Sequence, residues 1–212
     1  MNGKLEESIL YLKACRNLEL EVFNLYEALS KKINQPESSF ILGFAYDSLK
    51  STKTIDAMLD YFDLTEIQNN NLKKEIAELT KDVLSFRKIV CRTNNINYEK
   101  ACESLKELSD LENKICALYD NYLQSSLLRA ASDGFSSLAI DSKNFKKIFE
   151  SFIEQRQRHR DTILELIFSI ESKEADRLRN ATPLVRYNNP DAWIREPAFR
   201  NESAVSTPQS TP

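Results

Sequence analysis

Six polar residues occupy positions where helical periodicity calls for apolar side chains. Glu19 lies in the stripe Ile9, Leu12, Cys15, Val22, Tyr26, Leu29 and Ile33. Glu112 lies in the stripe Ala101, Leu105, Leu108, Ile115, Tyr119, Tyr122 and Ser126. Both stripes are spaced by threes and fours, the mark of one buried helix face. Ser48 and Ser51 interrupt Ile41, Phe44, Ile55, Met58 and Phe62. Arg156 and His159 interrupt Phe145, Phe149, Phe152, Ile163, Ile167 and Ile170. A charge carried inside a bundle must be paired or must hold a metal. Two carboxylates and an imidazole are metal donors. The same carboxylates around a guanidinium make an ion cluster.

The two glutamates sit in matching surroundings. Leu18-Glu19 is followed by Leu25-Tyr26-Glu27, and Leu111-Glu112 by Leu118-Tyr119-Asp120. This echo points to an internal duplication. Other chemistry has few candidates. The chain has one His and no Gly-rich phosphate loop, nucleophile elbow or Ser/His/Asp arrangement. None of its four cysteines forms a Cys-x-x-Cys pair, which argues against a zinc site. They are expected to be buried small hydrophobes. Cys91 and Cys102, which flank the turn at Thr93-Asn94-Asn95, are the pair for which a disulfide is considered, in a hyperthermophile.

The elements that must position these residues read as long helices. Only 3 of the 212 residues are Gly, against 42% hydrophobic and 29% charged, so tight β-turns are scarce and an all-α domain is expected. Helix spans are predicted at about 5–32, 38–62, 98–128 and 143–178. Asn34-Gln35-Pro36 ends the first, and Ser38 or Ser39 caps the second. A crossover helix over 65–91 carries Leu72, Ile76, Leu79, Val83, Phe86 and Val90. Ser132-Asp133-Gly134 is expected to break the chain before Asp141 or Ser142 caps the last helix. Tyr46, Tyr61, Tyr98 and Tyr122 are read as core or groove residues. Residues 1–179 form the bundle and 180–212 an extended, partly disordered tail, where five of the six prolines lie.

Pairing the first helix with the second and the third with the fourth gives two helix hairpins joined by a long crossover. The chain resembles the ferritin-like superfamily, in particular its rubrerythrin-type branch, over roughly residues 5–175. The resemblance rests on Glu19 with Tyr26, Glu112 with Tyr119, the stretch Phe44-Ala-Tyr-Asp-Ser-Leu-Lys-Ser and the stretch Phe152-Ile-Glu-Gln-Arg-Gln-Arg-His. It implies an antiparallel four-helix bundle. In that architecture each hairpin supplies one Glu and one Glu-x-x-His to a pair of metal ions. Carried over, Glu19, Glu112 and His159 are surviving ligand positions. Ser48 and Ser51 replace a Glu and a His, and Arg156 replaces the second Glu. Arg156 brings a permanent positive charge to the place of the metal. With both carboxylates the charges sum to −1, or to zero if His159 is protonated. The expectation is a metal-free cluster in which Arg156 bridges Glu19 and Glu112. Two other readings stay open: a single metal on Glu19, Glu112 and His159, and a helix register that turns all of these to solvent.

The functional expectation is a non-catalytic protein that binds another protein and regulates it. Tyr187, Trp193, Ile194 and Phe199 of the tail form a candidate docking segment. An archaeal transcription factor is one candidate partner, and a homodimer in which tails wrap neighbouring subunits is another arrangement. The alternative is a rubrerythrin-like iron or manganese oxidoreductase acting on peroxide or oxygen. The net charge of −3 argues against nucleic acid and anionic membranes. The start of the chain lacks a signal-peptide layout, so a cytoplasmic protein is expected, of an archaeal, thermophilic type.

Overall fold

The computed structural model describes residues 3–60, 74–94, 96–137 and 142–187. Six helices account for nearly all of them: α1 Gly3–Ser30, α2 Glu37–Asp60, α3 Lys74–Arg92, α4 Tyr98–Gln124, α5 Ser126–Ser137 and α6 Ser142–Tyr187. No strand occurs among the described residues, so the chain is all-α. No described helix is long and apolar enough to cross a membrane. The chain divides into a unit over residues 1–171 and a second over 172–212.

Contacts across the seams fix the helix directions within the first unit. Arg16 meets Asp56 at 2.8 Å and Tyr26 meets Phe44, so α1 and α2 are antiparallel. Ser8 meets Tyr122 at 2.7 Å while Tyr26 meets Glu112, so α1 and α4 are antiparallel. Lys106 meets Glu171 at 3.2 Å and Tyr122 meets Phe149, so α4 and α6 are antiparallel. α1 and α6 therefore run one way, and α2 and α4 the other. α3 runs with α1, its Arg87 on Glu21 at 2.5 Å and its Glu75 close enough to Tyr11 to influence the phenol. One continuous apolar core joins the elements, and the stripe residues from Ile9 to Ile33, Ile41 to Met58, Ala101 to Tyr122 and Phe145 to Ile170 lie in it.

Several expectations need correcting. α2 begins at Glu37, so neither Ser38 nor Ser39 caps it. Glu37 sits in the first turn, where the partial positive charge of the helix start favours an acid. α4 ends at Gln124 rather than Leu128. Ser125 takes an extended conformation, and both its N–H (3.0 Å) and its hydroxyl (2.7 Å) donate to the Tyr122 carbonyl. The same hydroxyl accepts from the Leu127 N–H at 3.2 Å, which starts α5. α5 then runs through Ser132-Asp133-Gly134, the expected break. Burial of Leu127, Leu128 and Ala131 outweighs the roughly 1 kcal/mol that a helical glycine costs. Ser126 is exposed, because the kink at Ser125 turns it off the α4 stripe.

Tyr46 is exposed because it lies off the inward stripe of α2, and Tyr98 is exposed as the first residue of α4, although its spacing continues that helix's stripe; Tyr122 is buried. The crossover helix is described from Lys74, and residues 65–73, with Leu72, Phe62 and Tyr61, lie outside the described residues. All four cysteines are free thiols, Cys91 exposed and Cys102 buried. α6 continues to Tyr187, so the first eight residues expected to be extended are helical. Pro183 lies inside this stretch, so helix propensity does not account for it, and nothing else in the structure does. In the second unit residues 172–179 are mostly exposed, with Glu174–Arg177 and Asp176–Arg179 pairs one turn apart.

Candidate functional site: a buried polar cluster

α1, α2, α4 and α6 each place a polar residue at one level of the core. The stripes that carry them are otherwise apolar, so hydrophobic burial drives each helix face inward and takes the polar residue with it. Glu19 and Glu112 have no exposed surface, and Arg156 retains 1%. The Arg156 guanidinium lies between the two acids. Its Nη1 donates to both carboxylate oxygens of Glu112, at 3.1 and 3.3 Å. Its Nη2 donates to Glu19 Oε2 and, at 3.0 Å, to Ser48 Oγ.

Tyrosines complete the arrangement reciprocally. Tyr26 on α1 donates to Glu112 on α4, and Tyr119 on α4 donates to Glu19 on α1. Each helix thus supplies an acid and, two turns later, the phenol that serves the other helix's acid. His159 sits at the edge of the cluster. Its Nδ1 lies 3.3 Å from Glu112 Oε1 and its Nε2 2.9 Å from Asp47 Oδ2, while Phe44 covers its ring at 4.3 Å. Asp47 is about half exposed, so this chain of contacts reaches from solvent to the buried acids. A second polar layer lies toward one end of the bundle. There Tyr11 stacks on Tyr122 at 4.3 Å and donates to the Leu118 carbonyl at 3.0 Å.

The two glutamates differ electrostatically. Burial raises Glu19, Arg156 and Tyr119 offset this only in part, and the charge on Glu112 adds to it; its carboxyl stands above its usual range. Burial also opposes the charge on Glu112. There Arg156, the His159 and Tyr26 hydrogen bonds and the His159 charge win, and its carboxyl stands below its usual range. Burial alone would make Arg156 less basic; Glu112 and Glu19 reverse that and hold the guanidinium charged. Burial and the adjacent acids hold both tyrosines in the phenol form, well above their usual range, as donors.

Five of the six singled-out core positions meet in one network: Glu19, Glu112, Arg156, His159 and Ser48. Ser51 is buried beside them, but its hydroxyl donates back to the Asp47 carbonyl at 3.2 Å, within its own helix. Arg156 also leaves its Nε, and Gln155 its Nε2, buried without a partner. A di-metal centre does not fit this donor set. Two dications held by Glu19 and Glu112 would have to displace a guanidinium already bonded to both, and neither Ser48 nor Ser51 offers the carboxylate or imidazole such a centre needs.

Sequence reasoning missed Asp47 and the cross-pairing of the tyrosines. The tyrosines had a signal in the seven-residue interval from each Glu. Asp47 had a weaker one, as an acid next to Ser48 at the edge of the stripe. Of the expected docking residues, Tyr187 is the last residue of α6, while Trp193, Ile194 and Phe199 lie outside the described residues. Comparison of the chain with protein-family models, with curated proteins and with solved structures gives no match.

Proposed function

We propose that the chain is a ferritin-like four-helix bundle in which an ion cluster has replaced the di-metal centre, and that it works by binding another protein rather than by catalysis. Three features support the fold reading. α1, α2, α4 and α6 have the directions of two hairpins joined by a crossover, α3 lies in that crossover, and the four helices supply their polar residues at one level. The observation that carries the functional reading is the Arg156 guanidinium between Glu19 and Glu112. A permanent cation there satisfies the acids and competes with any metal for the same oxygens.

The partner is a protein, for which an archaeal transcription factor is one candidate, and the cytoplasm is the compartment. Tyr187, Trp193, Ile194 and Phe199 give the C-terminal segment the apolar anchors, three of them aromatic, of a docking peptide. Elemental analysis of protein from cells grown with added iron and manganese tests the reading. Substoichiometric metal, unchanged by Glu112→Ala, is the expected result. Stoichiometric metal lost in Glu112→Ala would overturn it in favour of a rubrerythrin-like oxidoreductase acting on peroxide or oxygen.

A further inference from the structure

α3 packs chiefly along α1 and only lightly on α4, so the α3–α4 seam opens outward. A cleft of about 340 Å³ lies there, lined by Asp82, Val83 and Phe86 of α3 and by Glu107, Asp110, Leu111 and Lys114 of α4. Its floor is apolar: Val83 and Leu111 belong to the core, and Phe86 is half-buried against it. One end is closed by the Asp82–Lys114 pair at 3.2 Å. The antiparallel register then sets Glu107 and Asp110 beside Phe86. Both acids are exposed, and neither has an ion-pair partner among the described residues.

We propose that this cleft docks an amphipathic segment of a protein partner that presents a lysine or arginine beside an apolar anchor. The volume suits one or two large side chains. The floor accepts the anchor and the aliphatic part of the basic side chain, and the exposed Glu107 and Asp110 carboxylates accept its head group. Lys114 is already engaged by Asp82, so it does not cancel the attraction. The inference rests on the protein-binding reading given above and specifies the partner as basic where it touches this face.

The test uses the full chain and a synthetic helical peptide with arginine and leucine on one face. Controls are the same peptide with glutamate for arginine, and spermidine. Backbone amide shifts in nitrogen-labelled protein report the site. The expected result is saturable shifts at Val83, Phe86 and Leu111 with the arginine peptide only. Affinity should be about tenfold weaker in Glu107→Lys/Asp110→Lys, with the melting temperature held. No saturable shift at these residues, equal binding by the double variant, or equal shifts with spermidine would overturn the inference. If a purified native partner still bound the double variant fully, the cleft assignment would fall and the protein-binding reading would stand. Metal loading of the cluster would remove the latter without touching the peptide result.

Discussion

Replacing Arg156 by leucine removes the only guanidinium buried among the described residues and leaves its partners in place. The side chain makes four hydrogen bonds: two to Glu112, one to Glu19 and one to Ser48. Both acids have no exposed surface, so water cannot take over. Breaking one partner out of a buried ion cluster costs about 3–5 kcal/mol, mainly because the remaining charge stays buried. For a chain of this size that is a fall of roughly 6–20 °C in melting temperature. The loss should depend on pH. Without the guanidinium each acid raises the other, so at acid pH both protonate and the deficit against wild type shrinks. Urea denaturation followed by far-UV circular dichroism at neutral and at acid pH measures both parts. Adding Glu19→Gln and Glu112→Gln to Arg156→Leu should recover most of the loss, since no buried charge is then left. A single variant as stable as wild type at neutral pH would refute the reasoning, because the acids would then have another neutralising partner.

Further outcomes follow from the same geometry. Glu112 is depressed in the folded state, so its contribution is present above the ordinary glutamate value of about 4.3 and is lost as pH falls below it. Glu19 is raised, so its contribution is full below about 4.3 and is lost as pH rises towards its folded value. At neutral pH, Glu112→Gln and Glu19→Gln each take a carboxylate away from the buried guanidinium and should each cost about 3 kcal/mol by denaturant midpoints; wild-type midpoints in both would contradict the cluster. Tyr26→Phe and Tyr119→Phe each remove a donor to a buried acid and should cost about 1.5–3 kcal/mol by the same measurement. On the ferritin-like reading proposed above, combining Ser48→Glu, Ser51→His and Arg156→Glu should complete a di-metal ligand set and give iron binding that raises the melting temperature. A folded triple variant that ignores iron would count against the ferritin-like arrangement.

The level of the cluster was legible in the sequence, because helical spacing ranks residues by face and by height. It placed Glu19, Glu112, Arg156 and His159 on buried stripes. Who meets whom across a seam is a matter of helix azimuth and tilt, which periodicity does not carry. The seven-residue interval marked Tyr26 and Tyr119, and the edge position marked Asp47, but neither told which partner each would meet across the seam. α5 was missed for a different reason: Gly134 is a local signal, and the burial of Leu127, Leu128 and Ala131 that overrides it is a tertiary one. Tyr46 was placed inside on residue type alone, although its position on α2 faces outward; Tyr98 follows the α4 stripe, but as the helix's first residue it has too little packed around it.

The crossed phenol–carboxylate pairs have a mechanical consequence. A seam of leucine and isoleucine can slip by one turn, about 5.4 Å, and find comparable neighbours. Here the same slip of α1 along α4 would pull both hydroxyls off their acids at once and leave two buried anions stranded. The pairs thus act as a registration pin, admitting one alignment of the two helices and rejecting its neighbours. Such a pin keeps its use whatever chemistry the surrounding surface acquires.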